Sequence, residues 1–330
     1  MKIVVDAMGG DLAPQAIVHG AVLAVQQDSE VSIILTGIEE KIRRELRQYR
    51  FPKERIEIIH CPEVIEMDEP ATISVRKKKD SSITRGVKLV GEGTAAALVS
   101  AGNTGAVVCA ATLTLGLLSG IERPGIAIII PTLKGAAMMI DVGANIDPKP
   151  NHLLQYAIMA TDYSQMVLGT INPSVGLLNI GEEESKGTDF MKETHKLLSE
   201  KILNFKGNVE GKDIFSGNCD CIICDGFVGN VVLKVSESLV ETVIEFLRRE
   251  IRKNLLAKFG VVFMKTAFLG LKKRIDYSEY GGAPLMGVNG VVIISHGRSN
   301  AKAIKNAIRA AKKEVELGIN AHIVEKVRTI

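Results

Sequence analysis

The chain has 330 residues, of which 46% are hydrophobic and 24% charged, and this composition excludes a largely disordered protein. The formal net charge is +3, from 41 basic and 38 acidic residues, which is too balanced to predict a nucleic-acid partner. No apolar run is long enough to span a membrane, and Lys2 is followed by a short strand rather than by the core of a signal peptide. Five cysteines, an odd number, suit a reduced cytoplasm.

Short apolar segments alternate with helical patterns along the chain. In chain order the predicted strands are KIVVD, VSIILTG, IEIIHCP, AALVS, GIAIIIP, AAMMIDV, SVGLLNIG, CIICDGF and the strands within PLMGVNGVVIIS. Two predicted helices are placed by where they start, one near Pro14 and one directly after SAGNTGA. The other predicted helices are EEKIRRELRQY, 72–90, 150–169, MKETHKLLSEKI, 229–258 and NAKAIKNAIRAAKKEVE.

Strands that are apolar throughout and alternate with helices predict an α/β fold, doubly wound, with a mostly parallel sheet covered on both faces. We find no sequence repeat, no low-complexity tract and no linker that marks a domain boundary. The prediction is one α/β unit over residues 1–330, with two interwoven lobes as the alternative organisation.

Six strand ends share a glycine-rich, polar character. They are MGGD (8–11), SAGNTGA (100–106), DVGAN (141–145), NIGEEESKG (179–187), CDGFVGN (224–230) and SHGRSN (295–300). Glycine lets a backbone approach a ligand, and helix N-termini present free N–H groups that favour an anion. Because ligands of such sheets bind at the carboxyl ends of the strands, we expect these junctions to line one crevice.

The sequence motifs of several familiar enzyme classes are missing. Neither GxxxxGK[ST] nor GxGxxG follows a strand, which disfavours a binding site for ATP or for a dinucleotide of the standard kind. The motif GxSxG is also missing, so Ser100 is a poor candidate for the nucleophile of an acyl-enzyme. CDCIIC (219–224) lies in an apolar strand, so buried thiols are favoured over zinc and no metal is expected. His195 lies on a polar helix face and is expected to be solvated. For His296, proton transfer and a structural hydrogen bond are both open.

The ordered set VDAMGGD with APQ, SAGNTGA, DVGAN, NIGEEESKG, CDGFVGN, SEYGGAPLMGVNG and SHGRSN resembles the bacterial acyl-ACP:phosphate acyltransferases of the PlsX family over nearly the whole chain. The resemblance implies transfer of a long fatty acyl group from acyl carrier protein (ACP) to inorganic phosphate, without a metal or nucleotide cofactor. It also implies a homodimer with a fold similar to phosphate acetyltransferase and the isocitrate/isopropylmalate dehydrogenases. The acyl phosphate would pass to a membrane glycerol-3-phosphate acyltransferase.

That chemistry needs no nucleophilic side chain, since phosphate itself attacks; it needs a held phosphate and donors for the developing oxyanion. We expect Gly102, Asn103, Thr104 and Gly105 to seat phosphate. Lys186 would neutralise charge, or pair instead with Glu182–Glu184 on a surface loop. The remaining expected site residues are Asn230 as donor to the carbonyl oxygen, Asp225, Asp141 and Asn145 as supports, His296 or a water as proton donor, and Gly9, Gly10, Asp11, Ser100, Gly226 and Ser299 as binding residues.

Residues 246–275 carry nine basic side chains and one acidic one, so this segment has a net charge of +8 and the remainder −5. Gly260 would separate two helices, giving a protruding basic hairpin with an apolar tip. Such a hairpin suits an anionic membrane surface on the inner face of the cell membrane, acidic ACP, or a dimer contact. The expected contacts are Arg252, Lys253, Leu255, Leu256, Phe259, Val262 and Phe263.

Two other functions are compatible with part of the sequence. MGGDLAPQ loosely resembles a turn of isocitrate-type NAD-dependent dehydrogenases, but the junctions lack the clustered arginines such enzymes need. A non-catalytic membrane-associated scaffold would explain the basic hairpin but not the polar strand ends.

Overall fold

The computed structural model describes residues 1–253, 257, 260, 261, 263–266, 270 and 281–329, and within them eleven strands form one sheet. The strands are β1 (Lys2–Asp6), β2 (Ser32–Gly37), β3 (Ile56–His60), β4 (Ala97–Ser100), β5 (Gly125–Thr132), β6 (Gly135–Ile140), β7 (Val175–Leu178), β8 (Phe205–Val209), β9 (Cys221–Ile223), β10 (Ala283–Met286) and β11 (Val291–Ile294).

The order across the sheet is β3-β2-β1-β4-β11-β10-β5-β6-β9-β7-β8. Strands β3, β2, β1, β4 and β11 pair in parallel, and so do β6, β9, β7 and β8. Three antiparallel pairings, β11–β10, β10–β5 and β5–β6, separate these two groups. The sheet is therefore mostly parallel, as predicted, but its two parallel halves run in opposite directions.

Helices cover both faces of this sheet. They are α1 (Gln15–Gln27), α2 (Glu39–Leu46), α3 (Ala71–Lys77), α4 (Ser82–Gly91), α5 (Thr104–Leu115), α6 (Pro150–Tyr163), α7 (Asp189–Lys201), α8 (Gly226–Lys253), α9 (Ala301–Leu317) and α10 (Ile319–Val327). In β1, Ile3 and Val5 pack with residues of α1 and α9, whereas Val4 packs on the opposite face with α4 and α5. All three are fully buried, which explains why this strand is apolar throughout.

The expected single helix over residues 72–90 was wrong. The chain forms α3 and α4, and the break falls between Lys77 and Ser82. Ser81 starts the second helix because its side chain accepts a hydrogen bond from the Thr84 N–H at 3.2 Å. The expectation of a solvated His195 was also wrong: the ring is buried and packs edge-on against Phe205, 5.2 Å between centroids.

Helix α8 has an exposed apolar stripe. Its members recur every three or four residues and lie along one side of a helix of 28 residues: Val231, Val235, Leu239, Val243 and Phe246. Only Gly226 and Gly229 of this helix are buried. The stripe leads towards the segment predicted as a basic hairpin.

The described residues cover only part of that hairpin. Arg252 and Lys253 are exposed at the end of α8, and Phe263 is 88% exposed. Leu255, Leu256, Phe259 and Val262 lie outside the described residues. Gly260 is helical and its carbonyl accepts from the N–H of Met264 at 3.1 Å. Residues 258 and 259 lie outside the described residues, and the expected separation of two helices at Gly260 stays a prediction.

Candidate active site

Asp6 lies at the carboxyl end of β1 and organises the first group of loops. It is fully buried, and its carboxylate accepts from Ser100 Oγ at 2.7 Å and from the Met8 N–H at 3.1 Å. Burial raises the pKa of Asp6, while hydrogen bonds from Ser82, Ser100 and two backbone amides act in the opposite direction. Gly9 packs so closely here that an added Cβ would come within 2.4 Å of Asp6 Oδ2 and 2.5 Å of the Gly102 nitrogen.

The SAGNTGA turn joins β4 to α5 beside Asp6. Asn103 caps α5 by accepting from the Ala106 N–H at 3.0 Å, and its Nδ2 donates to the carbonyls of Glu66, Met67 and Glu69. The side chain of Asn103 is thus committed to the protein. Thr104 and Gly105 are exposed. Their N–H groups, in the first turn of the helix, make no hydrogen bond within the described residues.

The SHGRSN loop after β11 meets the same turn. The Ser295 N–H donates to the Ser100 carbonyl at 2.8 Å, and the Asp11 N–H donates to the Gly297 carbonyl at 2.8 Å. Ser299 is buried, and its N–H donates to the carbonyl of His296 at 2.9 Å. The Ser295 hydroxyl is buried and has no hydrogen-bond partner in the described part of the chain.

His296 is half-buried at this edge. Its Nδ1 accepts from the Arg298 N–H at 3.1 Å, which places the proton of the neutral ring on Nε2. Nε2 lies 3.9 Å from the carboxylate of Glu237 on α8. Burial lowers the pKa of His296 below 6.5, although Glu237 opposes this effect.

Asp141 organises a second group of loops, at the carboxyl end of β6. Its carboxylate accepts from the N–H groups of Gly143, Ala144 and Asn145 at 2.7–3.1 Å. The Asn145 side-chain amide donates to Asp141, to Tyr156 Oη and to the carbonyl of Pro124. Burial raises the pKa of Asp141, and these hydrogen bonds counteract the rise.

The first turn of α8 docks on this second group. Asp225 Oδ1 accepts from the N–H groups of Phe227 and Val228, both at 2.9 Å, and so caps the helix. The Gly226 N–H donates to the Asn145 carbonyl at 2.8 Å. Asn230 is exposed and lies beside Gly143.

Lys186 lies in the loop after β7. Its carbonyl accepts from Asn179 Nδ2 at 3.2 Å, while its side chain is exposed. The alternative pairing of Lys186 with Glu182–Glu184 is not seen among the described residues. Glu182 instead pairs with Lys212, at 3.0 Å.

The contacts described above group the six junctions into two clusters. The Asp6 cluster comprises Asp6, Gly9–Asp11, Ser82, Ser100–Gly105 and Ser295–Ser299. The Asp141 cluster comprises Asp141–Asn145, Tyr156 and Cys224–Asn230, which are in contact, and Asn179–Gly187, which follows the parallel strand β7. The strands that lead into the two clusters run in opposite directions, so the junctions do not share one carboxyl edge of a parallel sheet; that they line one crevice stays a prediction.

Helix α8 joins the clusters. Seven residues of α8, about 10 Å, separate Asn230 in one cluster from Glu237, which faces His296 in the other. One turn further on, Glu241 pairs with Arg298 at 2.9 Å.

A sequence model of the family described as "Fatty acid synthesis protein" matches residues 1–322. The phosphate acyltransferase of Halothermothrix orenii is 49% identical over 99% of this chain and 98% of its own. That of Geobacter sulfurreducens is 50% identical over 100% and 95%.

The chain belongs to the phosphate acyltransferase family. It is an acyltransferase, and the family resemblance seen in the sequence motifs is confirmed.

Solved structures confirm the predicted fold. A phosphotransacetylase from Streptococcus pyogenes aligns with a TM-score of 0.64 at 20% identity, covering 96% of this chain and 94% of its own. A branched-chain phosphotransacylase from Enterococcus faecalis aligns with a TM-score of 0.57 at 14% identity, covering 96% and 99%.

Two organising residues of this acyltransferase, Asp6 and Tyr156, were not predicted from the sequence. Asp6 could have been, because a carboxylate that ends the buried apolar strand IVVD needs hydrogen-bond donors around it. Tyr156 could not, since only the fold brings it to Asn145.

The cysteines behave as buried thiols. Cys219, Cys221 and Cys224 are all buried, and burial raises the pKa of each thiol. Across the described ranges, no three His, Cys, Asp or Glu side chains come together in a way that would hold a metal ion. In the same ranges, no helix has the length and hydropathy needed to cross a bilayer.

Proposed function

We propose that this acyltransferase moves a long-chain fatty acyl group from ACP to inorganic phosphate, and that the acyl phosphate supplies phospholipid (phosphatidic acid) synthesis. One observation carries the proposal. The turn at the start of α5 presents the N–H groups of Thr104 and Gly105 to solvent, and Ser100 beside it is 1% exposed, too buried for a thioester to reach. A turn with free amides, whose serine is buried, suits a nucleophile that is itself the bound anion.

The phosphate would bind at the Asp6 cluster. Amides of a helix N-terminus favour an anion without a full countercharge. Asp6 and Ser100 would hold the turn in place rather than touch the phosphate, because their hydrogen bonds are to each other.

A phosphate oxygen would attack the thioester carbonyl, the carbon–sulfur bond would break, and the proton of the phosphate would pass to the leaving thiolate. His296 or a water would carry that proton. Lys186 and Asn230 are proposed to stabilise charge on the carbonyl oxygen from the Asp141 cluster, with Asp141, Asn145 and Asp225 holding that cluster in place.

Family membership favours this reaction over the dehydrogenase and the scaffold. The test is incubation of the purified protein with palmitoyl-ACP and phosphate. We expect palmitoyl phosphate and free ACP thiol, neither of which forms when phosphate is left out. Formation of NADH from isocitrate-type substrates, or no turnover with any phosphate concentration, would contradict the proposal.

We propose further that two copies of the chain pair through the apolar stripe of α8. An exposed stripe of this length is unfavourable in a monomer and suits a symmetric partner. Val235→Asp/Leu239→Asp should convert a dimer to a monomer in light scattering after size exclusion. A wild-type monomer, or a variant that stays dimeric, would contradict this.

The basic hairpin at 246–275 is proposed to hold the protein on the inner face of the cytoplasmic membrane. Phe263, Arg252 and Lys253 are exposed, as such a role requires. Replacing Leu255, Val262 and Phe263 by aspartate should abolish co-sedimentation with phosphatidylglycerol vesicles while soluble turnover is kept. Unchanged co-sedimentation would exclude the hairpin as the membrane contact.

A further inference from the structure

The basic run at residues 76–79 is divided by the fold. Lys78 turns inward, where its ammonium contacts the Glu69 carboxylate and donates to the Val64 carbonyl at 2.6 Å. Arg76, Lys77 and Lys79 are exposed and form no ion pair within the described residues. Four of the nine residues from 71 to 79 are basic and none is acidic. The end of α3 therefore presents three exposed cations that have no ion-pair partner among the described residues, while Asp80, the next residue in the chain, pairs with Arg85.

These cations are fixed close to the SAGNTGA turn. An added Cβ at Gly105 would be 3.0 Å from the Cβ of Ala71, the first residue of α3. The loop that leads into α3 is tied to the turn as well, because Asn103 donates to three of its carbonyls. Lys77 lies six residues beyond Ala71, about 9 Å along the helix. The cationic end of α3 thus flanks the place where the acyl thioester must react.

Two apolar side chains of the same segment are exposed. Ile73 on α3 is 54% exposed and Met67 is 45% exposed. The Met67 Cε is 3.1 Å from the position a Cβ at Gly297 would take, so this side chain borders the Asp6 cluster. Exposed apolar side chains near exposed cations suit a thioester arm that is attached to an acidic protein.

We propose that Arg76, Lys77 and Lys79 form the docking surface for the acidic carrier protein that delivers the acyl thioester, whose arm crosses Ile73 to reach the SAGNTGA turn. This inference rests on the proposed function. The basic hairpin is a less suitable dock for the donor. Lys253, where the described part of α8 ends, lies about 18 Å along the helix beyond Glu241, the residue that contacts the SHGRSN loop.

The test compares two charge-reversed proteins. Arg76→Glu/Lys77→Glu/Lys79→Glu changes the proposed surface. Arg47→Glu/Arg50→Glu/Lys53→Glu makes the same change in net charge at exposed residues near the amino end of β3, on the opposite edge of the sheet. Each protein is assayed at low salt with palmitoyl-ACP and with palmitoyl-pantetheine, which has no carrier protein.

We expect the first variant to raise the KM for palmitoyl-ACP at least tenfold and to leave turnover of palmitoyl-pantetheine within twofold of wild type. The control should change neither. In 0.5 M NaCl the wild-type KM for palmitoyl-ACP should approach that of the variant, because salt screens exposed charges. Should the triple variant not fold, Arg76→Ala/Lys79→Ala removes charge without reversing it and should raise the KM about threefold.

An unchanged KM for palmitoyl-ACP would overturn the inference. So would a variant that keeps this KM but no longer binds phosphatidylglycerol vesicles, since the surface would then contact lipid. A wild-type protein that forms no acyl phosphate from either donor would instead refute the proposed function. Kinetics with the two donors, together with co-sedimentation of each variant with phosphatidylglycerol vesicles, distinguish these three results.

Discussion

Ser100 and Asp6 are 94 residues apart in the chain, yet Ser100 Oγ donates to Asp6 Oδ2 at 2.7 Å across neighbouring parallel strands. The same Ser100 oxygen accepts from the Gly102 N–H at 3.1 Å, which sets the backbone of the turn. A buried carboxylate is stable only with such donors around it. The pair therefore links the end of β1 to the loop at which we propose phosphate binds.

Asp6→Asn should lower kcat about 100-fold. The amide nitrogen of the new asparagine replaces one carboxylate oxygen and cannot accept the hydrogen bond, from Ser100 or from Met8, that this oxygen receives, so the turn would shift. The measurement is phosphate-dependent thiol release from palmitoyl-ACP, with thermal unfolding to establish that the protein is folded. Ser199→Ala, which removes an exposed hydroxyl on α7, is the control. A folded Asp6→Asn protein with wild-type kcat would show that this carboxylate does not position the site.

Lys186→Ala and Asn230→Ala test whether the Asp141 cluster acts on the reacting carbonyl. If these side chains stabilise the oxyanion, each should reduce kcat about 100-fold with little change in KM for the donor, since one such donor contributes about 2.7–4 kcal/mol. Both side chains are exposed, so the fold should tolerate the change. Lys192→Ala, an exposed lysine on the following helix, is the control. A raised KM with unchanged kcat would place both residues on a remote part of the substrate.

Much of the fold was accessible from the sequence, because buried parallel strands must be apolar along their length and β1, β4 and β11 are. The reversal of direction in the middle of the sheet was missed. Its signal was present: only Leu133 and Lys134 separate β5 from β6, too few residues for a parallel crossover. A hairpin there forces the following strands to run the other way, so the loops after β6, β7 and β9 leave the sheet in the direction opposite to that of the SAGNTGA turn.

The side-chain roles were less accessible, for a physical reason. The sequence predicted that Asn103 helps to bind phosphate. In the structure its side-chain amide donates instead to three carbonyls of the loop before α3, which lies more than thirty residues before Asn103 in the chain. Whether a polar side chain is free depends on such distant partners, which only the packed fold supplies.

Gly229→Ala should destabilise the protein by about 1–3 kcal/mol or more. An added Cβ would come within 2.0 Å of the Asp141 carbonyl oxygen and 2.8 Å of Cys224 Sγ, so the start of α8 would have to move. Urea unfolding measures the change. Gly211→Ala, where an added Cβ meets nothing within 4 Å, is the matched control and should stay within about 0.5 kcal/mol of wild type. Equal destabilisation of the two variants would contradict the close contact between α8 and the Asp141 loop.

Glu314 on α9 should make stability depend on pH. It is fully buried, accepts from Tyr163 Oη at 2.9 Å, and burial raises its pKa from 4.5 to about 8. Between these two values the folded protein holds a proton that the unfolded chain has released, so the free energy of unfolding falls as pH rises from 4.5 to 8. The full loss, on the order of a few kcal/mol, is reached above pH 8.

Glu314→Gln carries a neutral amide in place of the protonated carboxyl and should remove most of this slope. We expect urea unfolding at pH 5, 6.5 and 8.5 to show a flatter dependence for the variant than for wild type, with the variant relatively more stable at pH 8.5. Glu325→Gln, at an exposed position on α10, should keep the wild-type slope. Parallel curves for Glu314→Gln and wild type would mean that Glu314 is ionised in the folded protein, contrary to its burial between α6 and α9.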